Sequence, residues 1–185
     1  TKPDMKIDKN SYGTIALSWL ISAALTLLIL KTIGMNTVGY TISVLVLLFS
    51  VFVTWFHRVP VRHTPEGDRI VTSGADGKVV IIKKVYEKEY LKRECMQVSV
   101  YMDFFNVHAN FWPVTGKVSY YKYHPGRYLL AFLPKAAEEN EHSSTAIDTG
   151  KEEIFFKQIA GTFARRIVCY SQEGSEELRG VQCGI

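Results

Sequence analysis

The chain has 185 residues, 47% of them hydrophobic, and 22 basic against 18 acidic side chains give it a net charge of +4. So modest and dispersed a charge, with no basic stripe interleaved with aromatics, argues against a nucleic-acid partner and suits an anionic membrane surface. Nearly all the uninterrupted apolar sequence precedes Arg58, and the remainder carries charges throughout, which implies a membrane anchor followed by one domain.

Residues 14–30 and 38–56 are apolar runs without a charge, each near the length that crosses a hydrocarbon core of about 30 Å. Joined through 31–37, where Gly34 and Asn36 turn the chain, they predict a two-helix transmembrane hairpin within an anchor of residues 1–57. A buried helical pair in a soluble protein is the competing reading. Trp19, Tyr40 and Trp55 are expected near the membrane interfaces, and a second span speaks against a cleaved secretory signal. Lys2, Lys6 and Lys9 precede the first run, Arg58 and Arg62 follow the second, and only Lys31 lies between, so both termini are expected on the cytoplasmic side. Residues 58–69, with Pro60 and Pro65 among charges, read as an extended, solvated linker.

Beyond the linker, β-branched and aromatic runs at 70–72, 79–85, 97–102, 117–123, 129–133, 153–159 and 165–170 predict short strands. Turn signals at 74–77, Pro125-Gly126, Gly150-Lys151 and Glu173-Gly174 separate them, so residues 70–185 are expected to be mainly β, a sandwich or barrel. Two pieces, 113–128 and 167–180, share a strand-turn-strand cadence that resembles the hammerhead units of biotinyl and lipoyl carrier domains, which form a barrel-sandwich hybrid. No lysine stands in the setting of a carrier lysine. A short helix is expected over 134–140, and the polar, acidic stretch around it, 135–153, reads as loop. Cys95, Cys169 and Cys183 are odd in number and widely spaced, and no histidine pair has metal-ligand spacing, so free thiols and no metal are expected.

His108 falls on a connection between strands, among apolar and aromatic neighbours and beside the breakers Pro113 and Gly116. Connections are where scaffolds carry chemistry, although a loop histidine and Asn110 satisfied by backbone would look the same. The string Phe105-Asn-Val-His-Ala-Asn-Phe-Trp-Pro-Val-Thr-Gly-Lys-Val118 resembles the signature of the phosphatidylserine decarboxylases, in particular their short bacterial form. Ser73-Gly-Ala-Asp-Gly-Lys-Val79 is similar to the family's Pro-Ala-Asp-Gly-Lys-Val element, with Gly74 where proline is usual. Tyr123-His-Pro-Gly-Arg127, Glu138-Glu-Asn-Glu141 and Gln158-Ile-Ala-Gly-Thr-Phe-Ala-Arg-Arg-Ile-Val168 match in the same order.

The resemblance implies a proenzyme that cuts itself at a Gly-Ser bond expected shortly after Ile185, turning the serine into a pyruvoyl group at the start of a small α subunit. The chain would be the β subunit. Decarboxylation of phosphatidylserine to phosphatidylethanolamine would then proceed through a Schiff base with that pyruvoyl group. By the same resemblance Asp76 and His108 are the catalytic pair, the aspartate orienting the imidazole that draws the serine proton. Read without the resemblance, Asp76 is a type I′ turn residue before Gly77, and a tight turn would also aim its carboxylate. Some longer relatives carry a second histidine at the position of Phe111; here either His108 serves both processing and decarboxylation or one of the two steps uses another group. Gly174-Ser175 reads as a structural turn. Asn140, Glu141, Arg165 and Arg166 fall on family motifs, and the arginines would pair with the lipid phosphate or with the acidic loop. Phe104, Phe105, Phe111 and Trp112 are expected either to enter the bilayer and admit acyl chains or to be core aromatics, and Phe111 and Trp112 are carried as substrate-binding residues. The implied partners are the α subunit, phosphatidylserine, the bacterial inner membrane with the catalytic domain on its cytoplasmic side, and a second copy of the chain as a homo-oligomer. The reading from another class is a non-enzymatic, membrane-tethered barrel-sandwich binding or carrier module.

Overall fold

The computed structural model describes residues 5–67, 69–130, 133 and 135–185, and the chain divides into two units, Thr1–Pro60 and Val61–Ile185. In the first unit, strand β1 (Met5–Ile7) leads through a short turn capped by Asp8 into helix α1 (Tyr12–Thr32). Helix α2 (Thr37–Phe56) follows, its N-terminus capped by the Asn36 side chain, which accepts from the Gly39 amide at 3.0 Å. Strand β2 (Arg58–Pro60) then pairs antiparallel with β1. Both helices are long and apolar enough to cross a membrane by length and composition. They touch through small polar residues: the Ser22 and Ser50 hydroxyls lie 2.7 Å apart, Ser50 donates to the Ser18 carbonyl, and Trp19 donates to Thr54. Small side chains let helix backbones approach closely, while Leu20, Leu27, Leu45 and Phe49 remain exposed. Lys2, one of the basic residues before the first apolar run, lies outside the described residues.

The second unit holds the β structure. Strands β3 (Lys78–Tyr86) and β4 (Glu94–Tyr101) form an antiparallel ribbon, with β5 (Asn110–Phe111) beyond it. The long strand β6 (Gly116–His124) is followed by a one-turn helix α3 (Ala136–Glu139), then by β7 (His142–Asp148), β8 (Glu153–Ile159), β9 (Glu176–Glu177) and β10 (Gln182–Gly184). The four-stranded sheet has the order β8-β7-β6-β9, and β10 pairs with β5. The core gathers Trp112, Val114, Val118, Ile147 and Cys183, with Ile154 and Phe156 packed against them.

Expectation and structure part at several places. Strand β7 lies in the stretch read as acidic loop, and it is one of the sheet's two interior strands, with 142–147 buried throughout. Its residues, His-Ser-Ser-Thr-Ala-Ile, are buried on both faces and so lack the alternation that marks a half-exposed strand. No strand forms over 70–72, and 165–170 contributes only a bridge at Cys169. Of the strand expected at 129–133, Ala131 and Phe132 lie outside the described residues, as does Pro134 of the short helix. The segment read as a solvated linker opens with the buried Val59 in β2, and further on Arg179 reaches the carbonyls of Pro65, Gly67 and Ile70. Phe111 and Trp112 are 5% and 1% exposed, so they belong to the core and not to a bilayer surface; Trp112 meets Phe156 edge-on.

Ile147 is fully buried between the core aromatic and the C-terminal strand. Ile147→Ala therefore lowers stability by about 3 kcal/mol, the usual cost of emptying a core site that cannot collapse; thermal melts of the detergent-solubilised protein check it.

Candidate active site

The loop before β5 is built to present one side chain. Asp103 accepts from the amides of Phe105 and Asn106, and the Asn106 side chain accepts from the Asp103 amide, which closes the loop on itself. Val107 and Ala109 then point inward, 6% and 0% exposed, so the intervening His108 turns the other way and is only half-buried. Its Nδ1 lies 3.1 Å from the Asn106 carbonyl oxygen. A carbonyl only accepts, so Nδ1 carries the proton, and in the neutral form of the ring Nε2 is the basic nitrogen.

Asp76 sits in the bend before β3. Gly77 takes φ +145°, and a Cβ there would run into the Tyr101 carbonyl, so glycine is required. Lys92 is the one non-glycine with positive φ among the described residues, so Asp76 does not occupy a type I′ turn, which needs positive φ at both central positions. The bend is tied to the His108 segment: the Gly74 carbonyl accepts from the Phe111 amide at 2.8 Å and from the Asn110 side chain at 3.5 Å. The Asp76 carboxylate pairs with Arg62, whose guanidinium also lies 5.2 Å over the Phe111 ring. Sequence reasoning placed Arg62 in the linker and missed this role, since nothing local marks an arginine whose partner is fourteen residues on.

The C-terminal strand lies against the same segment. In β10, Gln182 pairs with Phe111 and Gly184 with Asn110. On its other side Ile185 exchanges both backbone bonds with Val168, and Tyr170 donates to the Cys183 carbonyl. Gly184 has no room for a Cβ, which would meet Gln158 and the Val168 carbonyl. Gln158 itself donates to Asn110 at 2.7 Å and accepts from Ser143. The strand therefore runs in a fitted slot whose neighbour is two residues from His108.

The remaining predicted residues fall elsewhere. Asn140 is buried, and its amide spends three hydrogen bonds on backbone, two with Leu129 and one to the Ala160 carbonyl. Glu141 is buried and accepts from the Tyr128 hydroxyl at 2.5 Å, which raises the Tyr128 pKa. Arg165 and Arg166 are exposed; Arg165 donates to the Thr162 carbonyl and stands 5.9 Å from the Tyr128 ring. Ser175 donates to the Gln172 carbonyl in a turn where Gly174 takes φ +88°, as a structural Gly-Ser requires. The three cysteines are free, and burial pushes the Cys183 thiol up, beyond use as a nucleophile.

A second cluster of titratable groups had no local signal in the sequence. Glu89, presented by a loop whose amides are held by Glu87, accepts from His124 at 2.6 Å, Lys157 at 2.9 Å and Ser144 at 3.0 Å. His124 stacks on His142 with centroids 4.4 Å apart and planes 15° from parallel. Ligand atoms of Glu89, His124 and His142 lie within 4.8 Å of one another. In-plane lone pairs of nearly parallel rings do not converge on one ion, and the Lys157 ammonium already supplies a cation to Glu89, so the contacts among these side chains form an ion network. Burial works to raise the Glu89 pKa, but the bonds from Lys157, His124 and Ser144 outweigh it and hold the carboxyl at about 2. Burial lowers the His142 pKa, partly opposed by its bond to the Asn140 carbonyl.

The unfolded chain protonates Glu89 near pH 4.5 and the folded one only near 2, so the network's stabilisation is complete above 4.5 and lost as pH falls toward 2. With the side chain only 16% exposed, Glu89→Gln costs about 2 to 3 kcal/mol at pH 7, and the gap from the parent closes between about pH 4.5 and 2. Melting temperatures of both proteins across that range test the sign.

Comparison with known proteins bears on the Asp76 and His108 segments directly. The family profile described as Phosphatidylserine decarboxylase matches residues 49–185, which takes in every site element above from Arg62 to β10. A Phosphatidylserine decarboxylase proenzyme of Syntrophus aciditrophicus is 46% identical over 145 residues, 78% of this chain and 68% of the relative. Proteins of the same description from Porphyromonas gingivalis and Amoebophilus asiaticus are 38% and 37% identical over 92% and 98% of this chain, and 78% and 81% of their own lengths. Matched across most of its length by the profile and by relatives of this identity, the chain belongs to the phosphatidylserine decarboxylase family.

Proposed function

We propose that the chain is the β subunit of an enzyme that decarboxylates phosphatidylserine to phosphatidylethanolamine. The observation that carries the reading is the pairing of β10 with β5, which lays the last described residues beside the His108 loop and the Asp76 bend tied to it. A processing serine a few residues beyond Ile185, where the resemblance puts it, would begin from that slot. The donor set fits the group such a serine becomes: a histidine oriented by a backbone carbonyl, a carboxylate held by an arginine, and a strand gripped on both sides.

Loss of carbon dioxide leaves an electron pair on the substrate's α carbon. A pyruvoyl group in the α subunit supplies the carbonyl that acts as electron sink. This chain moves the protons. His108, basic at Nε2, takes the proton of the processing serine and later returns one to the α carbon. Arg62 fixes the Asp76 carboxylate through their ion pair, and in this reading that carboxylate steadies the imidazole when it becomes cationic. Arg165 and Arg166, exposed and five to six residues past the buried Ala160, suit the lipid phosphate. The buried Asn140 and Glu141 act from beneath, by holding the 127–129 backbone and Tyr128 in place, and the buried Phe111 and Trp112 form the floor of the slot. In this reading residues 1–57 are the transmembrane hairpin, 58–69 connect it, and 70–185 form the barrel-sandwich-like catalytic domain on the cytoplasmic side of the bacterial inner membrane.

His108→Ala in the full-length protein reduces carbon dioxide release from carboxyl-labelled phosphatidylserine by roughly 10²- to 10⁴-fold, the span of a lost general acid-base group. Arg166→Ala, by contrast, raises KM about tenfold with kcat little changed, as expected for uniform binding of a phosphate. Undiminished turnover in His108→Ala would remove it from the mechanism.

A further inference from the structure

Phe104, Phe105 and Phe163 are 47%, 68% and 79% exposed, yet their rings meet. Phe104 lies edge-on to Phe105 and to Phe163, each pair with centroids 5.9 Å apart. The rings come from two loops far apart in sequence, one between β4 and β5 and one after β8. Single exposed apolar residues are ordinary, but aromatics gathered into one outward cluster mark an interaction site. Both loops are braced. Asp103 and Asn106 lock the first, while in the second the Gly161 amide donates to the Ala164 carbonyl and the Thr162 hydroxyl to the Tyr128 carbonyl. The rings are thus held out by fixed backbone.

Charge decides what covers them. Arg165 and Arg166 are exposed just after Phe163, residues 161–168 contain no acidic side chain, and the one acid beside the rings in the other loop, Asp103, turns its carboxylate to the Phe105 and Asn106 amides. A second copy docking by this face in a twofold arrangement would bring the arginines toward one another, whereas an anionic phospholipid surface takes rings and guanidinium groups together. We propose that Phe104, Phe105 and Phe163 form a docking surface that enters the headgroup region of an anionic phospholipid bilayer and delivers the His108 loop to lipid lying in the membrane. The inference rests on the phospholipid decarboxylase reading for its purpose, and on exposure, ring contacts and flanking charge for its geometry. Of the four aromatics expected at a bilayer surface, it keeps Phe104 and Phe105 and puts Phe163 in place of the buried Phe111 and Trp112.

Two measurements on the full-length protein reconstituted in phosphatidylglycerol-containing vesicles test it. In the first, Phe163→Trp is compared with the parent, whose own tryptophans are common to both. The added emission is quenched by about half when the lipids carry bromine on the upper acyl chain, as an interfacial ring requires. Added emission untouched by bromine but quenched by aqueous iodide overturns the proposal, and so does emission shielded from both together with cross-linked dimers. In the second, Phe105→Ser combined with Phe163→Ser lowers kcat/KM for phosphatidylserine in vesicles about tenfold and leaves that for monomeric short-chain phosphatidylserine within about twofold. Equal loss on both substrates, or on neither, overturns it. A parent that turns over neither substrate sinks the decarboxylase reading instead, while the quenching measurement still decides the docking surface.

Discussion

The antiparallel contact between β5 and β10 is the constraint on which the site depends. It joins residues separated by most of the second unit, and it works only because Gly184 lets Gln158 and the Val168 carbonyl close on the backbone. Gln158 ties the slot back to Asn110 on one side and to Ser143 of β7 on the other, so the sheet, the loop and the C-terminal strand share one hydrogen-bonded joint. Residues that look catalytic by type are set by this joint: His108 faces out because Val107 and Ala109 face in, and the Asp76 bend is docked through Gly74 onto Phe111. Under the proposed reading, a processing serine beyond β10 would meet a preset base, which is what proximity catalysis requires.

Away from the slot the molecule spends its polar groups on rigidity. Glu89 gathers His124, Lys157 and Ser144 from three strands, and Asn140 bridges two loops with every donor and acceptor of its amide engaged. Such fully satisfied clusters specify one arrangement, since a half-made one in low dielectric is costly. They also bear on site residues indirectly, because Asn140 and the Thr162 hydroxyl position the backbone around Tyr128, where Arg165 stands.

Much of the architecture was legible in the sequence because it rests on local signals. The apolar runs yielded α1 and α2, and alternating or β-branched segments yielded β3, β4, β6 and β8, the last at its observed bounds. What failed was nonlocal. Strand β7 hid behind serines and a histidine whose burial depends on neighbours in the sheet, and β5 and β10 are two and three residues long, strands only because they meet. The site divides in the same way. His108 and Asp76 were selected through motifs, whereas Arg62, Gln158 and the Glu89 cluster carry no local pattern. Asn140 and Glu141 were selected by motif, and their burial and bonding are visible only in three dimensions.

The central claim is that the slot beside His108 delivers a self-processing serine. Intact mass spectrometry of the wild-type full-length gene product measures this most directly. The account predicts two fragments, with the cut a few residues beyond Ile185 and the smaller fragment blocked at its N-terminus by a group of pyruvoyl mass. A single uncut chain, or a cut at Gly174-Ser175, would contradict it.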